Sequence, residues 1–168
     1  MRRSIPFAVA VFTALLLQTT VFPKVTLAGA KPELLYLVVI VMAMLDGPSI
    51  GAVIGFSGGM AQDFLQNAPK GVTALTLTLL GYTVGLARTY IVTPSPLLPV
   101  MLVGVGTFCG LLFYGIVSAL IGQLDSGWTY LLKIAFFSGI YNGLLTPVFY
   151  PLLKRISEGD RSRSLFGR

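Results

Sequence analysis

The stretch Gly51-Ala52-Val53-Ile54-Gly55-Phe56-Ser57-Gly58-Gly59-Met60-Ala61-Gln62-Asp63-Phe64-Leu65 repeats glycine at 51, 55 and 59 and ends on a carboxamide beside a carboxylate. Each step of four residues turns a helix by about 40°, so the three glycines stay on one face. In lipid, where no hydrophobic effect drives helices together, small residues at this spacing let two backbones touch. The ridge predicts either close packing inside one bundle or docking of a partner helix. Asp63 lies one further step along it. A carboxylate within a membrane span costs roughly 2.5–3.5 kcal/mol on insertion scales unless it is paired or reaches water. Asp63 is therefore expected where the packed seam opens to the outer surface. Lys133 is its first candidate partner, in an ion pair joining the third and sixth helices, and Lys70 its second. The competing reading is that Asp63 and Lys133 each snorkel to the interface. Arg88 is a poor partner, because it falls about 25 Å inward along the fourth helix.

Composition around this stretch describes a chain dissolved in lipid. Of 168 residues, 55% are hydrophobic and 11% charged, and the mean hydropathy is +0.84. Soluble domains carry about 25% charged residues, so a soluble enzyme is excluded. The net charge of +6 is not a nucleic-acid footprint. Lys154, Arg155, Arg161, Arg163 and Arg168 cluster after the last apolar run, the pattern of a cytoplasmic membrane flank facing anionic headgroups. With no histidine and the single cysteine Cys109 in an apolar run, imidazole ligation, histidine acid–base chemistry and thiolate clusters are excluded. Paired carboxylates and a phosphate-cradling loop are also missing. The reading is of a nonenzymatic chain with no catalytic residue, metal or cofactor.

Apolar runs between breakers predict an all-α membrane protein of six spans in one compact bundle: 5–22, 33–45, 49–66, 72–92, 98–121 and 128–153. Residues 1–153 form the transmembrane domain and 154–168 a basic, mobile tail. The second span is short. Leu34 to Leu45 covers about 18 Å of helix against a hydrocarbon core of about 30 Å, which implies local thinning or shelter by neighbouring helices. Gly47-Pro48 predicts a tight turn with Pro48 opening the next helix. A five-span alternative would run one broken helix from Glu33 through Met60. Six spans instead put both termini and eight basic residues on the cytoplasmic side, leaving Lys24, Lys31, Lys70 and Lys133 outside. Cleavage of the first span as a signal peptide at Ala28-Gly29-Ala30 is disfavoured, because Pro23 and Lys24 intervene.

The remaining polar residues fall into small groups. Ser138, Asn142 and Thr146 form a stripe on the last span, suited to interhelical hydrogen bonds or to lining a small cavity. Gln18, Thr19 and Thr20 cluster at the outer end of the first. Gly81 pairs with Gly85, Gly106 with Gly110 and Gly139 with Gly143. Trp128, Tyr130 and Tyr150 are placed as interfacial anchors, and Pro147 and Pro151 are expected to break the last helix and redirect the chain.

Four motifs in order resemble the rod shape-determining MreD family: Leu17-Gln18-Thr19-Thr20, Lys31-Pro32-Glu33-Leu34-Leu35, Gly51 through Leu65, and Tyr141-Asn142-Gly143-Leu144-Leu145-Thr146-Pro147. Gly71 and the Gly81-Tyr82 pair also stand where that family has them. Met60-Ala61 departs from a leucine-rich pair before Gln62, an apolar exchange of little consequence. The resemblance implies a fold similar to the substrate-binding subunits of energy-coupling-factor transporters. It also implies a noncatalytic role in cell elongation and lateral peptidoglycan synthesis at the bacterial inner membrane. The implied partners are the bitopic protein MreC and, through it, MreB, a SEDS-type glycosyltransferase and a class B transpeptidase. Gly51, Gly55, Gly59, Gln62, Asp63, Lys133 and Asn142 are candidates for structure or partner contact from position alone. The alternative is a substrate-binding subunit of a vitamin or metal transporter. Its pocket would use Asp63, Lys133, Gln18 and Trp128, with Ala10 and Ala14 as a docking strip.

Overall fold

The computed structural model describes residues 4–20, 31–66, 71–88, 97–123 and 127–165. They form six helices: α1 (Ser4–Thr20), α2 (Leu34–Asp46), α3 (Pro48–Leu65), α4 (Val72–Ala87), α5 (Leu98–Leu120) and α6 (Trp128–Leu165). Helix placement follows the apolar runs closely. Two stretches, Leu98–Leu120 and Trp128–Ser157, are long and apolar enough to cross a membrane by themselves. The Ala28-Gly29-Ala30 triplet and Lys70 lie outside the described residues.

The short helix α2 stands at the centre. Every residue from Leu34 to Ala43 is buried, with exposures of 0–4%, and α2 packs against each of the other five helices. Its 13 residues span about 20 Å, and surrounding helices rather than lipid cover its sides. Shelter, not lipid contact on its flanks, resolves the length mismatch. Gly47 then reverses the chain with a left-handed φ of 99°, Pro48 occupies the first turn of α3, and the Gly47 N–H donates to the Ala43 carbonyl (3.0 Å). The two helices are separate and pack against each other, so no single broken helix runs from Glu33 through Met60.

Glycine seats α3 on α4. A methyl on Gly51 would stand 2.6 Å from the Gly81 carbonyl oxygen and one on Gly59 2.5 Å from Ala74 Cα, while Gly55 faces the Leu77 carbonyl and Gly85 faces Pro48. The ridge is thus packed within the chain. The other glycine pairs divide. Gly106 and Gly110 receive Ile40 and Tyr36 of α2, whereas Gly139 lies on the Gly104 carbonyl where α6 crosses α5. Ala10 and Ala14, the expected docking strip, are buried in the bundle's own core.

The last helix departs from expectation. It runs unbroken for 38 residues through Pro147 and Pro151, past the expected boundary at Leu153. Each proline removes one backbone donor, yet neither ends the helix. Leu153 and Ser157 are buried, and Ser157 donates to Asp46 Oδ1 (2.9 Å) at the far end of α2. That contact ties the first turns of the expected tail to the bundle.

Gly55→Ala should lower the thermal midpoint of the detergent-solubilised protein, because a backbone contact cannot relax as a side chain does; overpacking costs about 1–3 kcal/mol. Gly143→Ala is the control: its methyl would meet only ordinary contacts, 3.5 Å or more away, and the midpoint should hold or rise.

Candidate functional site

The polar residues gather where α1 and α3 end and α2 begins. Pro32 disfavours helix at Lys31, so residues 31–33 are non-helical and expose backbone groups that need partners. Helix α6 supplies them. The Asn142 carboxamide accepts from the Glu33 N–H at Oδ1 (3.1 Å) and donates through Nδ2 to the Glu33 carbonyl (2.9 Å). The second Nδ2 proton goes to Thr107 Oγ1 of α5 (3.0 Å), which uses both donors of the amide. One turn away, Ser138 donates to the Lys31 carbonyl (3.0 Å). The polar stripe of α6 therefore clamps the segment leading into α2 at two of its three positions, and Asn142 also bonds across to α5. Thr146 bonds its own helix at the Asn142 carbonyl (2.8 Å).

A second set of amides closes on the same point from the other side. Gln18 of α1 accepts from the Leu35 N–H (3.2 Å) and donates to Glu33 Oε2 (2.6 Å). It thereby satisfies one of the orphan N–H groups at the start of α2. The Gln62 side chain of α3 also hydrogen-bonds the Glu33 carboxyl. Glu33 is the hub: its backbone is held by α6, and its carboxyl by α1 and α3.

Asp63, beside Gln62, has a separate task. It is fully buried, at 0% exposure, and its Oδ2 accepts from the Gly71 N–H (2.9 Å) and the Ala74 N–H (3.2 Å). These are the N-cap and N3 positions of α4, so Asp63 caps the next helix from outside and places its charge at the positive end of the dipole. Gly71 adopts the left-handed conformation, φ 92°, that brings those amides round. Asp63 does not open to the outer surface as expected. Nor does it pair with Lys133, which is exposed on α6 and lies within ion-pair distance of no acidic group among the described residues. Arg88 is no closer to Asp63, since its guanidinium approaches Gly47 at the opposite end of α3.

The structure thus brings Gln62 and Asn142 to one hub through Glu33, seats Gly51, Gly55, Gly59 and Asp63 in the α3–α4 seam, and leaves Lys133 apart. The transporter pocket does not assemble: Gln18 faces α2, Asp63 faces α4, and Trp128 and Lys133 are exposed. A lipid-facing groove of about 550 Å³ between α5 and α6, with Gly104, Gly139 and Gly143 among its lining and Phe108 and Phe136 on its walls, presents no polar surface. A vitamin or metal ion would find no hydrogen-bonding or ligating group there. Sequence reasoning missed Glu33 as the hub. The available signal was an acidic residue after Lys31-Pro32, at the head of the most apolar helix.

Apolar helices joined by glycine seams and by amides clamped onto backbone define an all-helical membrane protein whose buried polar groups serve assembly of the bundle. The chain belongs to the MreD family: the model of the rod shape-determining protein MreD matches residues 1–156. It is a rod shape-determining membrane protein of the bacterial cell. No curated protein and no solved structure matches it.

Asn142→Ala strands a buried N–H and carbonyl and should destabilise the protein by about 2–3 kcal/mol, seen in thermal or denaturant unfolding. Asp63→Ala removes a cap and should cost about 1–2 kcal/mol. Lys133→Ala should shift stability by less than about 0.5 kcal/mol. Lys133→Glu should fail to rescue Asp63→Lys, and rescue would show that the two charges meet.

Proposed function

We propose that this chain is a noncatalytic scaffold of the cell-elongation machinery. In this reading it supports lateral peptidoglycan synthesis by binding the bitopic protein MreC, and through MreC it reaches MreB, a SEDS-type glycosyltransferase and a class B transpeptidase. It is a six-span protein of the inner membrane with both termini cytoplasmic, and its fold is similar to the substrate-binding subunits of energy-coupling-factor transporters. Membership of the MreD family supports the cellular role. The observation that carries the scaffold reading is the use of the polar residues: Gln18, Asn142 and Ser138 hold backbone, and Asp63 caps a helix. A nucleophile or acid–base group must be free to meet a substrate, and these side chains are engaged in holding the bundle. A rigid bundle that presents fixed apolar faces suits recruitment of single-span partners.

Depletion of the protein should convert rods to rounded cells, and unchanged rods would refute the role. Affinity purification should recover MreC; recovery of an ATPase pair instead would favour the transporter alternative. Reporter fusions after Arg155 should give a cytoplasmic signal, and a periplasmic one would overturn the six-span topology.

A further inference from the structure

The groove between α5 and α6 is packed at its floor and open along its length. Gly139 lies on the Gly104 carbonyl, while Met101, Val105, Phe136, Ile140 and Leu144 on its walls are exposed. No part of the described chain covers it. Gly143 joins the floor without being required there by the chain, since a methyl would meet only ordinary contacts, at 3.5 Å or more. Glycine weakens a helix relative to alanine, and a fluid acyl chain fills a groove over alanine as readily as over glycine. A docked helix differs, because close backbone approach is what holds helices together in lipid. A helix therefore gives glycine at 143 a use that a lipid tail does not.

Lys133 marks the same face. It lies three residues before Phe136, about 4.5 Å along the axis, and Ile140 and Leu144 fall within about 20° of it around the helix. Lys133 is exposed, and no acidic group among the described residues lies within ion-pair distance of it. A cation on an apolar helix face is costly without a partner. A second copy of this chain does not supply one. Both copies would share one orientation in the membrane, so a symmetric contact through this face sets Lys133 near Lys133 at one depth.

We propose that this groove docks one transmembrane helix of another protein, apolar where it crosses Ile140 and Leu144 and carrying a carboxylate at the depth of Lys133. The inference rests on the scaffold reading and adds to it the docking surface and the chemistry of the docked helix. The glycine floor admits the backbone, the exposed walls receive the apolar side chains, and the carboxylate meets the Lys133 ammonium where scarce water strengthens the pair.

The test places a photo-crosslinking amino acid at Val105, Ile140 or Leu144 in cells that produce MreC. The controls are Val53 and Phe56 of α3, exposed apolar positions outside the groove. The groove positions should crosslink to MreC and the α3 positions should not. Lys133→Glu should cut recovery of MreC by affinity purification about threefold or more, with the unfolding midpoint of the isolated protein unchanged. Recovery of MreC with crosslinks from α3 alone, or from no groove position, would overturn the proposal and leave the scaffold role standing. Crosslinks only to lipid or to a second copy of this chain would do the same, as would full recovery of MreC by Lys133→Glu. Failure to recover MreC at all would refute the scaffold role, and the docking proposal with it.

Discussion

The pairing of the Asn142 carboxamide with both backbone groups of Glu33 is the contact on which the rest depends. A helix of about 20 Å has too little length to cross a bilayer of about 30 Å, so α2 must begin inside the bundle. Its first backbone groups then lie away from bulk water, and each would cost free energy if left without a partner. Asn142 supplies a donor and an acceptor in the geometry of a second peptide unit, and its remaining proton draws in Thr107 of α5. Gln18 completes the job at Leu35. With those groups met, the sides of α2 can be wholly apolar, and five helices can close around it.

The glycine seams answer a different problem. Burial of α2 needs α3 and α4 to lie close enough that one pair of helices covers one flank, and side chains at 51, 55, 59, 81 and 85 would hold them apart. Gly51 against Gly81 and Gly59 against Ala74 bring backbone to backbone. Asp63 then secures the end of that seam by capping α4, a bond that strengthens where water is scarce. At the other end, Ser157 bonds Asp46 and carries α6 past the point where the apolar run stops. The central helix is therefore pinned at both ends by residues distant in sequence, which favours a rigid body over a flexible carrier.

Much of this was legible beforehand. The six apolar runs, the Gly47-Pro48 turn, the short second helix and the four-residue glycine spacing all follow from local periodicity and from lipid as solvent. Asp63 shows where such reading stops. A carboxylate in a span demands a partner, and the sequence offers lysines as the obvious ones. The amides of Gly71 and Ala74 bond its Oδ2, and no composition rule marks them, because every residue but proline carries such a donor. Pro147 and Pro151 fail for a related reason. Removal of a donor weakens a helix, but packing against neighbours can keep it continuous.

The sequence by itself determined the medium, the number of helices, the faces that must meet through glycine, and the motifs that place the chain in the MreD family. Periodicity and transfer free energy act over neighbouring residues, so these features need no knowledge of the fold. Only the tertiary structure decided which polar groups meet: Gln18, Gln62 and Asn142 come from three helices and converge on Glu33, and Thr107 of a fourth accepts from Asn142. The opening stretch changes meaning accordingly. Gln62 and Asp63, adjacent in the chain, turn to different neighbours, one to the carboxyl at the head of α2 and the other to the start of α4. Successive residues on a helix point about 100° apart, and the partner each meets is set by the helix that packs on its side.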